Sequence, residues 1–226
     1  MRTEGMEVKQ PARSQRVAQG EETKAALLAA ARELFGANGY AATSLEDVVA
    51  RAGVTKGALY HHFRGKTELF QAVYEQVKRE VSDEVVVIFL EPDPWYALTA
   101  GCQLMIDAQL DPAVRRIALH DARSVLDWET IRSVENRYGA VGLRGVLRRA
   151  VRAGAIDDQP LRPLALLLSG ALGEACFYVA DADDPEAARA EADRLVLRLL
   201  EGLRPRAAAA GPRSDAPGEP EAAASA

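Results

Sequence analysis

Cysteine is nearly absent from this chain, which has two in 226 residues. Cys102 and Cys176 lie far apart in apolar runs, so the expectation is two buried thiols in a reducing compartment, not a disulfide framework. Histidine is as scarce, with three residues, and aromatic residues make up 6%. There is no Gly-rich phosphate loop, no metal-spaced cluster and no nucleophile–base pairing, so an enzyme is not expected. The longest apolar run, Leu164 to Ala171, is too short to cross a bilayer. The first residues lack an apolar stretch behind their charges, which argues against a secretory signal. A cytoplasmic protein with no membrane partner is the reading. Alternating strand patterns are missing too, which leaves an all-α chain.

What is present is alanine, leucine, arginine and glutamate, and 48% hydrophobic residues, enough for a substantial core. The net charge is −5. Up to position 70, ten basic residues stand against eight acidic ones, a local excess of +2 that leaves −7 for the remainder. Only this mildly basic head suits an anionic partner.

Residues 1–20 are polar without a helical period and are read as a disordered arm; 204–226 are Ala, Pro, Gly, Ser and charge, and are read as a disordered tail. Between them the spacing predicts a head at 21–66 and a body at 67–203. The first helix is expected over 21–37, ended by Asn38-Gly39. Thr43 and Ser44 then cap a short helix, with Glu46 and Asp47 three residues on as partners. Gly53 makes a turn, Thr55 caps a third helix, and a long fourth helix carries Leu69, Val73, Val77 and Val81. In the body, Asp93-Pro94, Asp111-Pro112 and Asp184-Pro185 predict helix starts, giving helices near 94–109, 112–123 and 185–202. Asp127 is expected to cap a helix over 128–153, followed by one at 161–181 that is apolar on most faces and needs a partner subunit to cover it.

One stretch asks for a function: "AGVTKGALYHHF", residues 52–63. Two short helices joined at Gly53 form a helix-turn-helix pattern. Leu59 and Phe63 share a face and anchor the third helix, leaving Lys56, Gly57, Tyr60 and His61 on other faces. Gly57 weakens the helix but lets its backbone come close to a ligand such as DNA. Adjacent histidines project about 100° apart and chelate one ion poorly, so no metal is expected; simple packing of Tyr60 and His62 is the other alternative.

The run "TSLEDVVARAGVTKGALYHHFRGKTELF" resembles the DNA-binding head of the TetR family of bacterial transcriptional regulators. The likeness rests on the Thr/Ser cap, the apolar pair before Ala52-Gly53-Val54, then Thr55, Gly57, Leu59-Tyr60, His62-Phe63, Lys66 and Leu69, and covers about 21–70. It implies an N-terminal three-helix DNA-binding head on a larger helical body that forms a homodimer and holds a small-molecule effector. Carried over by residue, it implies phosphate contact by Thr43, Ser44, Tyr60 and Lys66, a base or phosphate contact by Lys56, close approach at Gly57, and contacts from His61 and His62, with Thr55 at the helix start. Glu46 departs from this pattern, being acidic near the presumed DNA face. Arg13 and Arg16 lie in the arm, where a solvated tail is the expectation and a minor-groove or phosphate contact the alternative.

For the body, a pocket is expected among Trp95, Met105, His120, Arg123, Trp128, Tyr138, Glu174 and Phe177. The dimer face is expected at Leu167, Ala171, Ala175 and Tyr178 with Leu195, Val196 and Leu199. The expected function is a repressor that leaves a partly palindromic operator when a small molecule binds; the alternative is a DNA-binding protein governed by a protein partner. No cofactor is expected.

Overall fold

The computed structural model describes residues 11–205, and side chains from Val17 onward, Ala140 aside. The described residues form helices and no strand. Helix α1 spans Pro11–Asn38, α2 Leu45–Ala52, α3 Lys56–His62, α4 Lys66–Phe89 and α5 Pro94–Asp107. Helix α6 covers 112–125 and α7 covers 128–152; α8 is Leu161–Ala180 and α9 is Pro185–Glu201. The three Asp-Pro starts hold: Asp93 accepts from the Trp95 amide (2.9 Å), Asp111 from Ala113 (2.7 Å) and Asp184 from Ala187 (3.1 Å). Asp127 accepts from Thr130 at 2.7 Å and so caps α7.

Three expectations change. Helix α1 begins ten residues before the expected start at 21, with Pro11 at its first position, where a missing amide costs nothing. Of the side chains described in this segment, Val17, Ala18 and Gln19 are exposed, and the first fully buried one described along the helix is Leu27. Second, α6 and α7 each contain a π-helical turn, Arg116–Asp121 and Asn136–Ala140. Third, the apolar character of α8 extends beyond the run Leu164 to Ala171: the helix has 20 residues and a mean hydropathy of 1.5 over its most apolar window, values that the core helix of a soluble protein also reaches. Its Ala165, Leu168, Leu172, Cys176, Val179 and Ala180 are buried, so it serves as a core helix of the body.

Two main cores result. One joins Leu27, Ala31, Phe35, Val48, Leu59 and Phe63 of the head with Leu69, Phe70, Val73, Tyr74 and Val77 of α4 and with Ile117, Ile131 and Val134 of α6 and α7. The other holds Phe89, Leu98, Ile106, Leu147, Leu172, Val196 and Leu200. Because the first continues past residue 66, the head is seated on the body through α4, α6 and α7 by apolar packing rather than tethered to it.

Candidate nucleic-acid interface

Gly53 ends α2 with φ 68°, the left-handed conformation that glycine adopts without a β-carbon clash; its amide and that of Val54 then bond back to Ala50 and Val49. The chain re-enters helix two residues later, where the Thr55 hydroxyl accepts from the Ala58 amide at 3.2 Å. Leu59 and Phe63 point into the head core, at 0% and 4% exposure. That fixes the opposite side of α3 outward. Lys56, Gly57, Tyr60 and His61 are all exposed there. His62 is half-buried: its ring meets His61 edge-on at 5.2 Å and lies beside Gly20 of α1. It therefore braces α3 against α1.

Lys66 opens α4 at the rim of this face. Its ammonium sits 4.2 Å over the Tyr40 ring and 3.4 Å from the Ala41 carbonyl, and Tyr40 in turn bonds Thr67 at 2.9 Å. Ser44 caps α2 in a full capping box: its hydroxyl accepts from the Asp47 amide (3.1 Å) and donates to the Asp47 carboxylate (2.6 Å). Those bonds hold the Asp47 carboxyl below its ordinary range.

The Thr43 reading is corrected. Its side chain is 2% exposed and its hydroxyl donates to the Gly39 carbonyl at 2.9 Å, with the Leu34 carbonyl at 3.2 Å. Its hydroxyl closes the α1–α2 turn and is not offered to a phosphate, and Glu46 does not complete a capping box with it. Instead Glu46 turns to Lys56, 2.5 Å away.

In the body the eight pocket candidates do not converge. Met105, His120, Arg123 and Phe177 each meet a neighbour: the Cys176 thiol lies 3.5 Å from the Met105 carbonyl, Arg123 stacks 3.4 Å over Phe177, and His120 is 3.7 Å from Asp181. Trp95 instead stacks under Arg204, Trp128 is 69% exposed, and Tyr138 packs on the head-side core. Glu174 lies on the outer face of α8, in an apolar groove of about 220 Å³ lined by Ala171, Ala175, Tyr178, Ala192, Leu195, Val196 and Leu199. Six of the seven expected dimer residues thus line one groove, and the seventh, Leu167, is 73% exposed. Burial pushes the Cys102 and Cys176 thiols up to about 12 and about 11, which keeps them protonated and unreactive at neutral pH. Among the described residues no three potential metal ligands cluster.

Sequence reasoning missed Arg116 and Asp121. The π turn of α6 aims both at the end of α1: Arg116 donates to the Ala37 carbonyl, and Asp121 accepts from the Tyr40 amide at 2.7 Å. A π turn carries no composition signal that would have found them.

An exposed polar side of α3 opposite a buried one is the arrangement of a DNA-reading head, and the comparisons agree. Residues 27–73 match the model of bacterial regulatory proteins of the tetR family, and 95–203 match that of the tetracyclin repressor-like C-terminal domain. A solved TetR-family transcriptional regulator from Pectobacterium atrosepticum is 34% identical, with a TM-score of 0.74, covering 84% of this chain and 97% of that one. The chain belongs to the TetR family. The probable transcriptional regulator ArpR of Pseudomonas putida is 32% identical over 62% of this chain and 71% of its own. The probable acrEF/envCD operon repressor of Escherichia coli K12 is 32% identical over 68% and 74%. As a TetR-family member the protein is a DNA-binding transcriptional regulator and not an enzyme.

Proposed function

We propose that the protein is a repressor that binds a partly palindromic operator as a homodimer in the cytoplasm and is released by a small molecule taken up in the helical body. The observation that carries the DNA half is the division of α3: Leu59 and Phe63 buried, Lys56, Gly57, Tyr60 and His61 exposed. In this reading Tyr60 and Lys66 hold phosphates, Lys56 and His61 reach base edges, and Gly57 lets the helix backbone sit deep in the major groove. Ser44, Thr55 and His62 orient the two helices.

Dimerisation through α8 and α9 is supported by the groove between them and by Leu167, Tyr178, Leu195 and Leu199, each more than half exposed. Two heads then meet successive major grooves on one side of the duplex. The repressor reading draws on the relative in Escherichia coli, named as an operon repressor. For the effector, Met105, His120, Arg123 and Phe177 are the entry region, because α6 there runs on to the Arg116 and Asp121 contacts with the head. An effector that prefers a shifted α6 lowers operator affinity by population shift, typically about 5–150-fold.

Selection of genomic fragments by the purified protein, with Tyr60→Ala as control, tests this. Enrichment of a few inverted repeats that the substitution abolishes is the expected result. Enrichment that survives it would return Tyr60 and His62 to a packing role, and many scattered sites with no response to any small molecule would favour control by a protein partner.

A further inference from the structure

Glu46 lies in the first turn of α2 and Lys56 opens α3. The Lys56 ammonium is 2.5 Å from the Glu46 carboxylate, although both side chains are more than half exposed. Their hydrogen bond lowers the Glu46 pKa and raises that of Lys56, so both carry full charge at neutral pH. The other charges nearby are committed elsewhere: Asp47 to the Ser44 cap, and Arg51 to Glu33 through bonds of 2.6–2.9 Å. Whatever DNA group Lys56 reaches, the Glu46 carboxylate therefore arrives within one hydrogen bond of it.

A carboxylate on this face is repelled by every phosphate, and an exposed ion pair gives little stability in return. Base edges offer a different environment. In the major groove a G·C pair shows the guanine O6 and N7 acceptors next to the cytosine N4 amine, which complements an ammonium and a carboxylate held side by side. We propose that Glu46 and Lys56 act as one specificity-determining unit that selects a G·C pair in each half-site, Lys56 donating to guanine and Glu46 accepting from cytosine N4. An A·T pair puts the adenine N6 amine where guanine O6 stood and thymine O4 where the cytosine amine stood, so that the ammonium faces a donor and the carboxylate an acceptor, and the reversed C·G pair likewise sets the ammonium against the amine. Glu46 thus rejects wrong sequences more than it strengthens binding to the right one.

The inference rests on α3 being the DNA-reading helix. The test is base preference measured on a randomised-site DNA library for the wild type, Glu46→Gln, Glu46→Ala and Lys56→Ala, with Tyr60→Ala alongside. The wild type should prefer G·C at one position per half-site by about 5–150-fold, the range of a good base contact. Glu46→Ala should cut that preference to about 2–3-fold at that position alone and tighten binding to unrelated DNA, with Glu46→Gln intermediate, by loss of a repulsive charge. Lys56→Ala should erase the same position. An unchanged profile in Glu46→Ala, or a preference for A·T there, overturns the proposal while leaving the DNA-reading head intact. Wild-type binding that is unselective and indifferent to Tyr60→Ala would remove both.

Discussion

A β-carbon added at Gly57 would come no nearer than 4.0 Å to any neighbouring atom, that atom being Thr55 Oγ1. Nothing inside the protein requires glycine there, so its use points outward, to something that approaches the helix. Gly57→Ala should raise stability by about 0.5–1 kcal/mol in urea unfolding, since glycine is a poor helix former, and should weaken operator binding. Tighter binding by the variant would separate Gly57 from the DNA contact. Thr43 is the opposite case. Thr43→Val leaves the Gly39 and Leu34 carbonyls without their donor and should cost about 1–3 kcal/mol of stability, while the folded protein binds DNA as before. A weakened DNA affinity at full folding would restore Thr43 to the contact. The adjacent Thr43-Ser44 pair shows how far residue types alone can lead. Both are good caps by composition, but only the backbone path decides which hydroxyl turns inward, and that path depends on the C-terminal turn of α1.

At the scale of elements, the starts of helices were the most legible feature, because a cap is a local bond between a side chain and an amide two or three residues on. The Asp-Pro starts of α5, α6 and α9 are of this kind. The short helix α2 depends on its cap most, since eight residues are below the length at which a helix holds by itself. Ser44→Ala should cost about 0.5–2 kcal/mol. It should also change the acid limb of stability. The Asp47 carboxyl is held below its ordinary value in the folded state, so its contribution is present above that value and is lost as the pH falls through the folded pKa. Without the Ser44 hydroxyl that loss should shrink, which urea unfolding at several acid pH values measures; an unchanged acid limb would refute the capping box as its source. The early start of α1 and the π turns were not legible. The first begins with exposed residues, Val17, Ala18 and Gln19 among those described, which show no buried face to read, and the second is a change of backbone register that leaves no mark on composition.

For the whole molecule, the all-helical class followed from pattern, but the placement of the pocket candidates did not. Aromatic residues on adjacent stretches look alike whether they line a cavity, shield a cation or face solvent, and Trp95, Trp128 and Phe177 differ only in which helix happens to pass over them. The exposed apolar face proposed for dimerisation is of another kind, made of residues that no part of the same chain covers: Leu167, Leu195 and Leu199. Leu195→Glu should give a monomer in sedimentation at micromolar concentration and lose most operator affinity, because a half-site bound by one head gains nothing from the second. A dimer that persists would move the interface elsewhere.

The close seating of α1 on α6 has a consequence of its own. A methyl group added at Gly36 would lie 2.6 Å from the Ala113 β-carbon, closer than two carbons can rest, and 3.3 Å from its α-carbon. The two helices would have to part where Arg116 and Asp121 grip the end of α1. Gly36→Ala is then a wedge driven into a latch: on the proposed mechanism the variant should fold and yet bind its operator weakly with no effector added, induction written into the gene by one carbon atom. Operator binding at wild-type strength by the folded variant would show that the latch does not govern the head.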